Sequence, residues 1–239
     1  MPSTPRLTCI LFALPSEGAA VVGAIENAHE HRSGGKTYLL GSIGASRVAV
    51  ACTGVGKVAS ALAAANAISQ FGATEIVMIG AAGAIRSNLK LGDLFVASET
   101  IQHDLGVRDG RRAHPCSNLR SELMSIAEAM SPTKKAFAGT LLTGDRACLT
   151  YRRRFRLLWA FRADSPMAVD MESAAVGAAA QAAGVPFGIL RIVTDHAGPF
   201  AIREIRKHFH ELAPVPGRVI VEWLRSRSAS AAGPPGGTL

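Results

Sequence analysis

The chain has 239 residues, 48% of them apolar, and a formal net charge of +8. That apolar share excludes a disordered protein, the length allows one sizeable core, and no apolar run reaches the length of a membrane span. Cys9, Cys52, Cys116 and Cys148 are widely spaced without a CxxC pair, so no disulfide framework or zinc site is expected and a cytoplasmic location fits best.

In chain order, residues 7–14 form an apolar run ahead of Pro15-Ser16-Glu17. The run reads as a first strand followed by a helix start. No small-residue cleavage site follows it, which argues against a signal peptide. Stretches 37–41 and 47–52 flank Gly44-Ala45-Ser46 and predict a hairpin. Gly54-Val55-Gly56-Lys57 leads into an alanine-rich helix over 58–71, and a strand over 75–79 ends at Gly80-Ala81-Ala82-Gly83. Strands follow at 93–100 and 136–142, with a helix at 119–130 between them.

Next comes Tyr151-Arg152-Arg153-Arg154-Phe155-Arg156, continuing to Arg162. Such a run can serve nucleic acid, but Phe155, Leu158, Trp159 and Arg162 fall at helical spacing. A solvated helix face is the better reading, and a nucleic-acid partner is not expected. A strand at 167–169, a helix at 172–183, a strand at 187–193 and a helix near 215–225 complete the pattern. Alternation of this kind predicts a three-layer αβα architecture around a central mixed, mainly parallel sheet. We expect one domain over residues 6–226 and a disordered Ser/Ala/Gly/Pro-rich tail over 227–239.

Two junctions concentrate the chemistry: Ala168-Val169-Asp170-Met171-Glu172-Ser173 and Leu190-Arg191-Ile192-Val193-Thr194-Asp195-His196. Each places acids at the end of an apolar strand, the edge where open α/β sheets bind ligands. Unpaired buried charge is costly, so acids there hold or protonate something. Singly, Glu17, Asp170, Glu172 and Asp195 can each be a cap or a salt-bridge partner, with Arg191 as a cation. Together they predict a cleft that handles hydroxyls and protons.

Other motifs are less specific. Gly54-Val55-Gly56-Lys57-Val58-Ala59 has a loose dinucleotide-fingerprint form, but it follows a hairpin strand and no acid ends a strand about twenty residues on. It fails as a P-loop at Val58. A helix-capping turn and a glycine-lined pocket wall both remain open for it. The Gly80 segment is either a close backbone approach to a ligand or a bare turn. Asp145 can cap the next element. His103-Asp104 is an unspecific pocket candidate, while His29, His31, His208 and His210 read as exposed. HExxH and GxSxG are both missing, and no metal site is expected.

The ordered set Thr53-Gly54-Val55-Gly56-Lys57-Val58-Ala59, Gly80-Ala81-Ala82-Gly83, Leu91-Gly92-Asp93, Thr143-Gly144-Asp145, Val169-Asp170-Met171-Glu172-Ser173 and Arg191-Ile192-Val193-Thr194-Asp195 resembles the purine nucleoside phosphorylase/nucleosidase superfamily. The branch it resembles most is that of the methylthioadenosine/S-adenosylhomocysteine nucleosidases, over residues 7–224. The resemblance implies a nucleoside phosphorylase-like fold, a small-molecule nucleoside substrate, no cofactor, and a homodimer in which a second subunit completes the pocket.

The activity implied is hydrolysis of the N-glycosidic bond of a 5′-modified purine nucleoside. Departure of the base leaves an oxocarbenium-like sugar, and the base leaves readily only when N7 is protonated, the role implied for Asp195. Glu172 would grip the 2′ and 3′ hydroxyls, Met171 pack on the sugar, Arg191 orient Glu172, and Glu17 activate water. Ala81 and Gly83 belong to the substrate-binding wall, and Ala147 and Cys148 would contact the base. Leu14 and Val55 would face the 5′ group, with Phe200, Ile205 and Phe209 competing for the last wall.

Hydrolysis rather than phosphorolysis is implied by Met78, where phosphorylases of this superfamily commonly place a phosphate-holding arginine. Glu17 would likewise repel phosphate and suit water. The chain departs from the nucleosidase pattern at Ala81, usually Ser, at Ala147-Cys148, usually an aromatic–aliphatic pair, and at Asp170, usually Glu. The alternatives are a phosphate-dependent phosphorylase and a nucleosidase for an adenosylated lipid or a futalosine-like substrate. A third is a quiet nucleoside- or nucleic-acid-binding protein that uses the basic helix.

Overall fold

The computed structural model describes residues 6–86, 88–106, 112–130, 134–161 and 165–231. Four strands, β1 (Leu7–Phe12), β4 (Ser46–Cys52), β5 (Glu75–Ala84) and β10 (Phe187–Asp195), run parallel in the order β4-β1-β5-β10. They are nearly continuous apolar runs, as strands covered on both faces require. From β10 the sheet continues antiparallel to β6 (Leu94–Gln102), then parallel to β8 (Ala136–Thr143) and β9 (Met167–Asp170). β9 returns antiparallel to the end of β5, so β5, β10, β6, β8 and β9 close on one another. On the other side β3 (Lys36–Ile43) and β2 (Glu26–Ser33) extend the sheet to an open edge, and the short β7 (Arg112–Ala113) pairs with β6.

Alternating side chains divide the core between two layers of helices. On one face Cys9, Leu11, Met78 and Ile189 meet α2 (Lys57–Phe71) and α5 (Ser173–Ala182). Ala63, Ala64, Ala67 and Ala180 let these helices approach closely. On the other face Ile10, Val77, Ile79 and Leu190 meet Val21 of α1 (Pro15–Ala24), Leu119 and Leu123 of α3 (Ser117–Met130), and Trp223 of α7 (Val215–Ala231). α4 (Tyr151–Ala160) covers a third cluster around Ile85, Leu142 and Val169, and α6 (Ala201–Leu212) lies against β10. The three-layer mixed fold expected from the sequence is the one observed. Among the described residues no helix is long and apolar enough to cross a membrane.

The elements differ from expectation at five places, one of them the two-residue β7, which has no counterpart in the sequence reading. β2 has no apolar alternation and is exposed along almost its whole length, the composition that blunts an exposed sheet edge. α6 has no counterpart among the expected elements. β5 does not stop at residue 79, because Gly80, Ala81 and Ala82 keep pairing with Arg191, Ile192 and Val193; the glycine segment is strand, not turn. α7 continues to Ala231, into the stretch expected to be a tail. There Ser228 Oγ accepts from Ala45 N at 2.9 Å and Arg227 pairs with Glu75 at 2.6 Å. Arg162 and residues 232–239 lie outside the described residues.

Candidate active site

Closure of the sheet assembles the site at one point of β5. Gly83 is paired with Val169 on one side and Asp195 on the other, so the two acidic junctions converge beside the glycine segment. A β-carbon at Gly83 would fall 2.7 Å from Asp195 Oδ1. At Gly80, with φ +148°, it would fall 2.3 Å from Arg191 Nη1 and 2.7 Å from Glu17 Oε1. These glycines leave the room that the charged side chains fill.

Glu17 sits in the first turn of α1 and is buried. Its Oε2 accepts from the N–H groups of Ala13 and Leu14, each at 2.9 Å. Reaching back to N–H groups just ahead of a helix is half of a capping box, and it orients the carboxylate. Oε1 accepts from Ala81 N at 2.9 Å, tying the helix start to β5.

Glu172 is the N-cap of α5, and its Oε1 accepts from Gly56 N at 2.9 Å. The Gly54 segment is therefore a pocket wall as well as a helix start. Burial, reinforced by the neighbouring charge of Asp170 and opposed by Arg191, pushes the Glu172 carboxyl up to about 7.

Arg191, expected among the substrate-binding residues, is fully buried and lies outside the cleft lining. Its nearest acid is not Glu172 but Asp170, with Nη2 to Oδ2 at 2.6 Å, against 3.6 Å to Glu172. The guanidinium also donates to Ser173 Oγ and, at 3.1 Å, to Ile79 O. Asp170 accepts from Thr143 Oγ1 at 2.6 Å and from Ser173 N at 3.2 Å. Burial opposes the charge on Arg191, but Asp170, Glu172 and Glu17 outweigh it and raise its affinity for the proton. The pair is a buried, hydrogen-bonded brace, with Arg191 behind the cleft and Asp170 at its lining. Asp170 stands as the supporting residue in it.

Asp195 follows an irregularity in the β10–β5 register. Oδ1 accepts from Ala197 N at 2.9 Å and Oδ2 from Thr194 Oγ1 at 3.1 Å. Burial raises its affinity for a proton, outweighing the two hydrogen bonds that favour the anion.

These groups border one cleft of about 400 Å³. Glu17, Glu172 and Asp195 line it, with Met171, Ala81 and Gly83 beside them. Ala147, Cys148, Leu14 and Val55 line it as well, so every expected site residue except Arg191 meets here. Ile205 and Phe209 form the last wall with Ala201, whereas Phe200 is 59% exposed and lies outside the lining. Ala13, Ala82, Arg146, Leu149, Val169, Asp170, Thr194 and Ala201 line it too, although the sequence reading did not place them among the site residues. For Ala201 a signal existed, since 201, 205 and 209 recur every fourth residue on one face of a helix.

A wider cavity of about 630 Å³ lies against α4, lined by Arg152, Phe155, Arg156, Leu158 and Trp159. Among the described residues no carboxylate borders it, whereas three line the smaller cleft, to which the chemistry is assigned. Two α4 arginines serve structure: Arg153 Nη1 donates to Ala147 O at 3.4 Å and Arg154 Nε to Ile85 O at 2.8 Å. His103 and Asp104 also fall outside the cleft lining. Asp104 and Asp145 both pair with Lys57, at 2.8 and 3.1 Å, while Thr150 rather than Asp145 caps α4. Among the described residues no cluster of three or more His, Cys, Asp or Glu could hold a metal ion.

Fold and cleft together define an α/β enzyme whose acids converge at the carboxyl ends of parallel strands. The phosphorylase superfamily profile matches residues 8–225, and the chain belongs to that family. The 5′-methylthioadenosine/S-adenosylhomocysteine nucleosidase of Colwellia psychrerythraea is 32% identical over 206 residues, which are 79% of this chain and 83% of that protein. The enzyme of the same name from Mycobacterium bovis is 26% identical over 246 aligned residues, covering 90% and 95%. The S-adenosylhomocysteine nucleosidase of Streptococcus pyogenes, solved with 5-methylthiotubericidin, superposes with a TM-score of 0.87 at 26% identity. It covers 95% of this chain and 99% of its own.

Proposed function

We infer that this protein hydrolyses the N-glycosidic bond of a 5′-modified purine nucleoside, of the methylthioadenosine/S-adenosylhomocysteine kind, and releases the free base. The observation that carries this reading is the convergence of three buried carboxylates, Glu17, Glu172 and Asp195, on one cleft. The names of the relatives agree with it.

Each acid has a chemistry suited to one part of the reaction. Asp195, whose burial favours the protonated form, donates its proton to N7 of the departing purine. Glu172 as a carboxylate accepts hydrogen bonds from the ribose hydroxyls, and Met171 packs against the sugar. Glu17 is held in place by three backbone N–H groups; it takes a proton from the water that attacks the oxocarbenium-like centre. Arg191 touches no substrate and instead keeps the Asp170–Glu172 segment in position.

Ala147 and Cys148 face the base with small side chains. Leu14, Val55, Ile205 and Phe209 offer the 5′ substituent an apolar wall. Met78 is fully buried in the core and brings no charge to hold phosphate. A homodimer is supported by Val55, Val58 and Leu62, which are exposed around the start of α2, with Val58 at 75%. The free state of all four cysteines supports a cytoplasmic location.

The pH dependence follows from Glu172. Below about 7 it takes up a proton and loses acceptor capacity, so kcat/KM should fall as pH drops through that value. Asp195 acts in the opposite sense, losing its proton as pH rises. In Glu172→Gln the acid limb should flatten along with the overall loss of rate. A wild-type profile flat between pH values on either side of about 7 would contradict this role for Glu172.

Release of free base from methylthioadenosine in phosphate-free buffer tests the whole reading. Strict dependence on phosphate would make the protein a phosphorylase instead.

A further inference from the structure

The turn that carries Asp195 is clasped from the helix that follows it. Glu204, in the first turn of α6, engages His196 with both carboxylate oxygens. Oε2 accepts from the His196 backbone N–H at 2.8 Å, and Oε1 accepts from ring Nδ1 at 2.9 Å. A carboxylate can only accept here, so the ring nitrogen facing it carries the hydrogen.

His196 is the residue between the acid and its backbone donor. Ala197 gives its N–H to Asp195 Oδ1 at 2.9 Å and has φ +46°, a conformation uncommon outside glycine. Ala197 has no polar side chain of its own to stabilise that conformation. Cys148 Sγ donates to its carbonyl at 3.6 Å, and Glu204 holds the preceding peptide from outside the turn. The next residue of α6, Ile205, lines the cleft, as does Phe209 one turn on. One side chain therefore links the acid's turn to the apolar wall. Burial pushes the Glu204 carboxyl up, but its hydrogen bonds to His196 pull it further down, so it sits below the usual range.

We propose that Glu204 is a positioning residue for the reaction: by clasping His196 it holds the 195–197 turn so that the Asp195 carboxyl stays aimed at the leaving base. The proposal rests on the reading of Asp195 as the proton donor. Glu204 is not part of the cleft lining and touches no substrate in this account.

The test compares two substrates with the same 5′-methylthio group. In methylthioadenosine the base must be protonated to leave, whereas in the matching 4-nitrophenyl riboside the leaving group departs as a stable anion. The kcat and KM of the wild type, Glu204→Ala, Glu204→Gln and Asp195→Asn are measured on both. Loss of the clasp should lower kcat on methylthioadenosine by about ten- to a hundredfold, the scale of a small misplacement, and leave the nitrophenyl substrate within about twofold. Glu204→Gln, which keeps an oxygen acceptor for the His196 N–H, should recover part of the loss and covers the case in which Glu204→Ala fails to fold.

An equal fall on both substrates, or no fall on either, overturns the proposal, because a purely structural defect does not select by leaving group. Asp195→Asn separates the two failures. If it discriminates between the substrates and the Glu204 variants do not, only the clasp is wrong. If it does not discriminate, the assignment of the proton donor falls and the clasp proposal with it.

Discussion

Replacing Asp195 by Asn slows purine release by about 10²–10⁴-fold, the scale of lost general-acid catalysis. Asparagine keeps the volume and can still accept from the Ala197 N–H through its amide oxygen, the bond that Oδ1 makes now at 2.9 Å. The turn should therefore persist and the variant should fold and bind nucleoside. What it lacks is a proton of suitable acidity at a buried position. Initial rates of base release, with binding measured separately, check this. Near-normal turnover would remove Asp195 from the proton-donor role.

Replacing Arg191 by Met acts on stability. The guanidinium is fully buried, with Asp170 at 2.6 Å and Glu172 at 3.6 Å. Methionine fills much of the volume but leaves Asp170 without its cation. Breaking a buried pair from one side costs about 3–5 kcal/mol, because an uncompensated charge remains inside. Without the guanidinium that opposes its rise, Glu172 holds its proton still more tightly in the folded than in the unfolded chain, so the variant gains relative to wild type as pH falls and loses as pH rises. Urea unfolding at neutral and mildly acidic pH measures both the loss and its trend. A loss under about 1 kcal/mol, the scale of an exposed pair, would contradict the buried brace.

The contrast between Arg191 and Asp195 shows where sequence stops being informative. Both lie in one apolar strand, and both are recognisable from the order of motifs around them. Only Asp195 reaches the cleft: strand alternation alone would put residues 191 and 195 on one face, but the register shifts between Val193 and Asp195, and Arg191 stays buried short of that shift. Residues 170 and 172 are two apart, yet one ends β9 and the other caps α5. Their division of labour, brace and cleft acid, depends on that change of backbone. The Gly56–Glu172 hydrogen bond spans 116 positions of sequence, and no local pattern announces it.

The fold divides in the same way. β1, β5 and β10 are legible because buried parallel strands are written as apolar runs. β2 is not, because Glu26–Ser33 is polar and exposed, held by pairing with β3 and by an edge-on contact of His31 with Phe71. The return of β9 to β5 is a long-range pairing of four residues, invisible to periodicity. It is also the pairing that brings Glu172 and Asp195 to one cleft. In α6, charged residues between Ala201, Ile205 and Phe209 mask a stripe that matters only once the cleft exists.

The most direct test of the central claim is to follow methylthioadenosine in phosphate-free buffer prepared with isotopically labelled water. Adenine should appear, with the water oxygen bound to C1 of the methylthioribose product, and added phosphate should not speed the reaction. Failure to release base until phosphate is added, with a sugar 1-phosphate as product, would contradict the account.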